Sequence, residues 1–158
     1  MVRLVPMTAP ELQKFLESSI PEYAQDWVRS GRWKPEDALE RSREEHAQLL
    51  PQGVETPDQY LRTVWEEAGG ERVGEVWYGL QRQEGWDQLF LYWIGIRPEH
   101  RRRGYAADVL REVESEARRL GAVRLGLHVF AENAGARALY ERIGFVTTNL
   151  LMAKDLRP

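Results

Sequence analysis

The sequence predicts a single α/β domain with a mixed, mostly antiparallel sheet of six to seven strands flanked by about four helices. Three observations support this fold class. The length of 158 residues suits one domain with one core of ordinary size. Hydrophobic residues make up 42% of the chain and charged residues 30%, which is typical of a globular protein. Segments of helical and strand periodicity alternate in an order that fits one layered domain.

The composition also excludes several classes of function. The formal net charge is -3, which gives no overall attraction to nucleic acid or to an anionic membrane. The absence of cysteine excludes disulfides and thiolate metal sites, and the three histidines lie too far apart to predict a metal site. No apolar run approaches about 18 residues, and the first residues lack the apolar core of a signal peptide. We therefore expect a cytoplasmic protein with no metal, no nucleic-acid partner and no membrane partner.

The first part of the chain is predicted to form a strand followed by helices. The short apolar start "VRLVPM" favours a strand. Thr8 and Glu11 have the spacing of a capping box, and apolar residues follow at helical spacing as far as Trp27. Pro21 is expected to break this stretch in two. The segment "KPEDALERSREEHAQLL", with Pro35 near its start, favours a second helix.

Three strands are predicted next. The segments "QYLRTVWEE" and "RVGEVWYGLQ" are separated by "AGGE", which is a hairpin signal. The third strand, "WDQLFLYWIGI", is nearly continuous in apolar and aromatic residues, so we expect it to be buried on both faces. A glycine within a strand often marks a bulge or a place where another backbone comes close, and Gly95 is such a residue.

The rest of the chain alternates helix and strand. A helix from about Gly104 has an apolar stripe and a C-cap signal at Gly121. The strand "VRLGLHVF" follows, with His128 on the face opposite its aliphatic residues. A short helix is predicted between Asn133 as N-cap and Gly144. The segment "FVTTNLLMAKDL" is predicted to close the chain as one or two strands.

The stretch "RPEHRRRGYAADVL" combines two features that oppose each other. A helix N-terminus carries about +0.5 of an elementary charge, so arginines placed there are repelled. The conflict disappears if a phosphate or pyrophosphate binds, because unpartnered N–H groups and arginines then face one anion. Gly104 permits the sharp turn, and the small Ala106 leaves the first helical turn open. The competing interpretation is a solvated basic turn.

Two motifs together resemble the GNAT superfamily of N-acetyltransferases. The first is the pattern Arg/Gln-x-x-Gly-x-Gly/Ala, and the second is Asn-x-x-Ala-x-x-x-Tyr followed by Gly-Phe. In this chain they are Arg101, Gly104 and Ala106, and then Asn133, Ala136, Tyr140, Gly144 and Phe145. The resemblance covers about residues 88 to 155, and the first half of the chain matches only in its order of elements.

The resemblance implies one acetyltransferase domain over residues 1–158 that uses acetyl-CoA as co-substrate. Residues 88–155 would form its acetyl-CoA-binding core and residues 1–60 the acceptor-binding helical part. The pyrophosphate would rest on backbone N–H groups of the signature turn, while the pantetheine arm would lie along the preceding strand, with the next strand splayed away. The implied cofactor-binding residues are Ile94, Ile96, Arg101, Arg102, Arg103, Gly104, Tyr105, Ala106, Asn133 and Ala136.

The implied reaction is direct attack of a primary amine on the thioester in a ternary complex. A backbone N–H near Ile96 would stabilise the developing oxyanion, and Tyr140 would donate a proton to the departing thiolate. A packing role in the core is the other interpretation of Tyr140.

The general base is where the sequence leaves alternatives open. Histone-type members of the family have a glutamate where this chain has Phe90, and N-terminal acetyltransferases of ribosomal proteins have one where it has His128. A neutral imidazole suits a base near neutral pH, but His128 could equally be a packed histidine. Glu75 is a second candidate that could instead face solvent. A base acting through water is a third possibility.

The sequence does not identify the acceptor beyond a small-molecule or peptide amine. A competing class is a catalytically inactive acyl-CoA-binding module or sensor. A nucleic-acid contact at the arginines is disfavoured by the negative net charge. Because members of the resembled family often pair through their C-terminal strands, a homodimer is a further expectation.

Overall fold

The computed structural model describes all 158 residues, and it has a five-stranded sheet between two layers of helices. The strands follow one another in sequence order across the sheet, antiparallel except for the last pair, which is parallel. They are β1 (Val2–Pro6), β2 (Gln59–Glu66), β3 (Arg72–Gln83), β4 (Trp86–Ile96) and β5 (Arg124–Leu127). The helices are α1 (Ala9–Arg29), α2 (Pro35–Leu49), α3 (Tyr105–Arg119) and α4 (Ala134–Ile143), with 3-10 turns at Gly53–Glu55 and Pro98–His100.

Alternation along β3 separates the two helical layers. Val76 and Tyr78 belong to the main core, which packs on the buried stripe of α3. Trp77 points to the opposite face, where it packs in a second core cluster with Leu12 and Phe15 of α1. One face of the sheet is therefore covered by α3, and α1 crosses the other face.

Helix α1 is continuous, so the prediction that Pro21 breaks it in two was wrong. A proline inside a helix loses one hydrogen bond and costs about 3 kcal/mol. Burial on both sides of the proline offsets this cost, since Phe15 and Ala24 are both buried. The fully buried Ser42 of α2 also donates a hydrogen bond to the Ile20 carbonyl, at 2.7 Å, which ties α2 to α1 beside the proline.

The sheet has five strands rather than the predicted six to seven. The predicted C-terminal strand or strands over residues 145–156 are absent, because this segment pairs with no other part of the sheet. A strand needs a neighbouring edge as well as a suitable sequence. The predicted number of helices was correct, and none of the four has the length and apolar character required to cross a membrane.

Strand β4 is less buried than its composition predicted. Only Leu89 and Leu91 are buried, and the remaining residues of the strand are half-buried or exposed. The reason is that β5 pairs with β4 over four residues only, from Gln88 to Leu91. Beyond Leu91 the outer edge of β4 has no strand beside it, which matches the splayed arrangement that the resemblance implied.

Two glycines bring β3 and β4 into very close contact at this end of the sheet. A methyl group added at Gly74 would overlap the carbonyl oxygen of Gly95 and would come within 3.2 Å of the Ile96 Cα atom. Because backbone atoms cannot rotate out of the way, only glycine fits at position 74. The residue that this contact requires to be glycine is Gly74, whereas a methyl group added at Gly95 would meet the Trp93 side chain rather than another backbone.

We expect Gly74→Ala to lower the free energy of unfolding by about 1–3 kcal/mol, the usual cost of overpacking. Gly135→Ala is the matched control, because a methyl group there meets no atom within 4 Å and lies in the first turn of α4. The control should be neutral or stabilising by up to about 1 kcal/mol. Urea unfolding measures both values, and equal stabilities would contradict the contact.

Candidate active site

The outer edge of β4 forms one side of the candidate site. The residues from Tyr92 to Ile96 lack a partner in β5, so their backbone groups on that side are unpaired with any strand. The side chains of Ile94 and Ile96 pack against the main core. These two predicted residues therefore present only their backbone to the opening between the strands. The Ile96 carbonyl accepts a hydrogen bond from Arg101 Nε at 3.0 Å.

The turn between β4 and α3 presents a row of free amide groups. The backbone N–H groups of residues 102–107 donate to no acceptor within the chain, whereas the N–H of Asp108 donates to the Gly104 carbonyl at 3.1 Å. Arg102 and Gly104 both have left-handed backbone conformations, with φ of 61° and 85°. Successive N–H groups in such a conformation form a concave anion-binding nest, and the N-terminus of α3 adds its dipole.

The side chains of this turn differ in what they can contact. Arg101, Arg102 and Arg103 are exposed, while Ala106 is half-buried at the start of α3. Tyr105 is only 8% exposed and belongs to the main core, so it offers its backbone N–H rather than its ring. The left-handed Arg102 is a non-glycine residue in a conformation that costs of order 1–3 kcal/mol, and such strain is concentrated at functional sites.

Helix α4 carries the remaining predicted residues. Asn133 caps the helix as predicted, since its side-chain oxygen accepts from the Ala136 N–H at 3.2 Å. Tyr140 packs against the main core and forms an edge-to-face contact with Phe145, with ring centroids 5.6 Å apart. Burial raises the pKa of Tyr140 above its usual value of 10. The phenol is thus protonated at neutral pH and is able to donate.

His128 lies just beyond β5 on the side of the sheet that α1 crosses. Its ring stacks on Trp27 of α1 at 5.3 Å and makes an edge-to-face contact with Phe130 at 4.8 Å. Burial against these rings, with a smaller contribution from the nearby positive charge of Arg32, lowers the pKa of His128 below 6.5. The imidazole is therefore neutral at pH 7 and is able to accept a proton, although its outer edge is exposed.

Glu75 faces the same side of the sheet, in a separate cavity. Its carboxylate accepts a hydrogen bond from Arg72 at 3.1 Å, and Arg72 also reaches Glu11 at 3.5 Å. The cavity has a volume of about 350 Å³. It is lined by residues of α1, β3 and the end of β4, namely Lys14, Phe15, Glu17, Ser18, Arg72, Glu75 and Arg97. No hydrogen bond or ring contact joins Glu75, His128 and Tyr140 to one another.

Glu22 of α1 is a further candidate that the sequence reasoning missed. Partial burial and the neighbouring carboxylates of Asp26 and Glu75 raise the pKa of Glu22, while Arg101 opposes the shift. The Glu22 carboxylate is thus within electrostatic range of both Glu75 and Arg101. The signal was available in the sequence, because Glu22 follows the buried Phe15 by seven residues and so lies on the same helical face.

The aromatic residues of the helical layer pack mainly on each other. Tyr23, Trp27 and Trp33 form stacked and edge-to-face contacts with centroids 5.7–6.1 Å apart. Arg32 lies over Trp27 and Arg41 over Trp33. The two tryptophan rings therefore already have cation partners within the chain.

The structure brings together no group of three or more His, Asp or Glu side chains that could hold a metal ion. The parted strands and the row of free amides are the features that the resemblance implied for an acetyltransferase-type fold. The chain belongs to the acetyltransferase (GNAT) family, whose pattern matches residues 15–145.

Relatives of known sequence and structure agree with this assignment. The uncharacterized N-acetyltransferase YycN of Bacillus subtilis is 36% identical over 157 residues, which cover 98% of this chain and 99% of YycN. The crystal structure of YycN has a TM-score of 0.92 with 35% identity, covering 100% of both chains. The uncharacterized N-acetyltransferase YdgE of Bacillus subtilis is 33% identical and covers 95% of both chains. The ribosomal protein bS18 alanine N-acetyltransferase of Salmonella typhimurium is 41% identical over 59 residues, 37% of this chain and 40% of that enzyme.

The lowered pKa of His128 has a consequence that NMR titration can measure. Because its folded-state pKa lies below 6.5, protonation favours the unfolded chain, and this contribution to stability is lost as the pH falls below 6.5. Trp27→Ala should raise the His128 pKa toward 6.5 by exposing the ring, and Arg32→Gln should raise it by removing a positive charge.

Arg41→Gln is the matched control for this titration. It removes the same charge from above Trp33, away from His128, and should leave the His128 pKa unchanged. A His128 pKa at or above 6.5 in the unaltered protein would contradict the stacked arrangement.

Proposed function

We propose that this chain is an N-acetyltransferase that moves the acetyl group of acetyl-CoA to a primary amine, by direct attack in a ternary complex. Within the family shown above, acetyl-CoA is the general donor. The thioester supplies an activated acetyl group. Residues of this chain must bind both substrates, stabilise the developing negative charge and transfer the protons. The proposal includes the cofactor-binding core over residues 88–155 and the acceptor wall within residues 1–60.

The observation that carries the proposal is the run of free N–H groups at residues 102–107, beside a strand edge without a partner. A diphosphate fits the turn, because the nest, the helix dipole and three exposed arginines all favour negative charge. An arm with amide groups fits the edge from Tyr92 to Ile96 in the way that a peptide adds to a sheet. One molecule that combines a diphosphate with an arm of amide groups would span both the turn and the strand edge.

The residues of the chain then have distinct tasks. A backbone N–H of β4 near Ile96 would stabilise the developing negative charge on the carbonyl oxygen. Tyr140, protonated at neutral pH, would donate to the departing sulfur. A neutral His128, Glu75 or a water molecule would take the proton of the amine, and Glu22 joins these candidates because its raised pKa favours proton uptake. Among these candidates, Glu75 is less free to take up a proton, because its carboxylate already accepts a hydrogen bond from Arg72.

We assign the acceptor to small molecules or peptides that present a primary amine. Glu22 and Asp26 of α1 and Glu75 of β3 are negative charges that the structure brings near one another, and they attract a cationic group. The bS18 alanine N-acetyltransferase acts on a protein α-amino group by its name, and it is similar to this chain over 59 residues. An α-amino group near pKa 8 also requires less help to lose its proton than a lysine near 10.4. No observation favours the alternative of an inactive binding module.

Tyr140→Phe separates catalysis from binding. Removal of the hydroxyl should lower kcat for acetyl transfer about 100-fold or more, which is the usual contribution of a general acid. The affinity for acetyl-CoA should not change, because the phenyl ring keeps its contact with Phe145. Turnover over a panel of amines and calorimetric titration with acetyl-CoA measure the two quantities.

Tyr60→Phe is the control, because Tyr60 lies on β2 and stacks on Tyr78 away from α4. It should leave kcat unchanged. Binding of acetyl-CoA without turnover of any amine by the unaltered protein would instead identify an inactive binding module.

Ala106→Asp tests the anion site independently of turnover. An aspartate in the first turn of α3 suits the helix dipole and should keep or slightly increase stability. The same charge lies where a diphosphate is expected, so the affinity for acetyl-CoA should fall about tenfold or more. Ala9→Asp, in the exposed first turn of α1, is the matched control and should leave binding intact. Unaltered binding by Ala106→Asp would place the diphosphate elsewhere.

A further inference from the structure

The cavity between α1, β3 and the end of β4 has charges of both signs on its walls. Of its seven lining residues, three are positively charged and two are negatively charged. Its volume of about 350 Å³ lies at the lower end of the range of ligand pockets, which is about 300–1,000 Å³. The cavity therefore suits a small molecule that carries charges of both signs itself.

Two of the three cations of the cavity have no partner within the chain. Arg72 donates to Glu75 at 3.1 Å and reaches Glu11 at 3.5 Å, so two carboxylates balance its charge. Lys14 and Arg97 line the same cavity, and neither forms an ion pair or a side-chain hydrogen bond with another residue. A free guanidinium is able to bind an oxyanion through two parallel hydrogen bonds, so Arg97 is the stronger of the two candidates for an anion site.

The backbone of Arg97 is held on both sides. Its N–H donates to the Val73 carbonyl at 2.8 Å, and its carbonyl accepts from the His100 N–H at 2.9 Å. The half-buried side chain thus starts from a fixed point at the edge of the cavity. Arg97 also follows Ile96 directly, and the proposed oxyanion donor for the thioester lies near Ile96. An acceptor in this cavity would therefore lie at the end of β4 where transfer is proposed.

The negative charge that faces this cavity from β3 has a free oxygen atom. Glu75 pairs with Gly95 in the sheet, and Arg97 follows Gly95 by two residues, which places both charges on the same face. Diagonal positions of this kind are about 7–8 Å apart, so a short molecule is able to contact both. Arg72 donates to Oε1 of Glu75, whereas Oε2 has no donor within the chain.

We propose that this cavity binds acceptors that carry an oxyanion, a carboxylate or a phosphate, in addition to the primary amine. Arg97, together with Lys14, binds the oxyanion, and Oε2 of Glu75 accepts a hydrogen bond from the ammonium group. The acceptor is thus a small amino acid or amino phosphate rather than a polyamine. The inference deepens the proposed function and rests on it for the transfer step, whereas the binding step is measurable without turnover.

Matched pairs of acceptors test the requirement for an oxyanion. Glycine, β-alanine and 4-aminobutyrate are each compared with the corresponding carboxamide, which has a similar shape and no negative charge. The carboxylate also makes the amine more basic, so the chemistry alone favours the carboxamide. We expect kcat/KM for the best acid to exceed that of its carboxamide about tenfold or more. The same measurement on 2-aminoethylphosphonate distinguishes a phosphate site from a carboxylate site.

Equal or faster acetylation of amines that lack an oxyanion would overturn the inference. The proposed function would stand in that case, because acetyl transfer to an amine would have been observed.

Arg97→Gln separates the acceptor site from the coenzyme site. Loss of the guanidinium should raise KM for the preferred acid about tenfold or more, with KM for the carboxamide and the affinity for acetyl-CoA unchanged. The variant should fold, because the hydrogen bonds of Arg97 to the rest of the chain involve its backbone. A weaker affinity for acetyl-CoA with an unaltered KM for the acid would assign Arg97 to the diphosphate, and the inference would be wrong.

Two further variants check the sign of the effect. Glu17 is the other negative residue of the cavity wall, and it is exposed. Glu17→Gln removes a charge that repels the oxyanion, so it should lower KM for the acid. Arg43→Gln is the matched control, because Arg43 is an exposed residue of α2 whose partner is Glu40, at 3.6 Å. This control should change neither KM.

NMR titration with the three acids and the phosphonate, in the presence of coenzyme A, measures binding without turnover. At least one of them should shift resonances of the unaltered protein at concentrations about tenfold or more below those required for Arg97→Gln. If such binding occurred but no amine were acetylated, the proposed transfer would be wrong and the oxyanion site would stand. Absence of binding that depends on Arg97 would overturn the oxyanion site itself.

Discussion

The point at which β4 and β5 stop pairing determines most of the other features of this molecule. Continued parallel pairing beyond Leu91 would satisfy the backbone of both strands, yet the outer edge of β4 from Tyr92 to Ile96 has no strand beside it. Backbone polar groups must be paired or solvated, so this edge is able to pair with an extended ligand that has amide groups of its own. On its other side β4 is held against β3 by the close contact of Gly74 and Gly95, which keeps the free edge in place.

Under the proposed function, a bound anion explains the composition of the arginine turn. Three exposed arginines stand at the positive end of α3, six N–H groups there have no acceptor, and Arg102 adopts a strained left-handed conformation. Repulsion, unpartnered donors and backbone strain each cost free energy. A bound diphosphate would turn the first two costs into attraction and would leave only the strain. Features that are unfavourable one by one would together suit the diphosphate that the proposed function requires at this turn.

The sequence predicted those parts of the structure that depend on local interactions. Thr8 and Asn133 were identified as N-caps because a cap requires only residues within one turn. The continuity of α1 through Pro21 was missed, because it depends on burial against the sheet and on α2. The helical spacing of Glu22 from the buried Phe15 is local, but two of the charges that act on Glu22, Glu75 and Arg101, belong to a strand and a turn distant in sequence, so Glu22 was missed. Residues 145–158 have a strand-like composition, but pairing depends on an edge that composition does not supply.

The same dependence limits how firmly one chain fixes the geometry of the proposed active site. The proposed function requires the Tyr140 hydroxyl near the outer edge of β4, but α4 has no buried residue and β5 is paired over only four positions. Few contacts within one chain therefore fix the distance between the proton donor and the strand. The loose pairing of β5 is the counterpart of the opening, because a β5 paired with β4 along its whole length would leave no room beside β4 for the acyl donor that the proposed function requires.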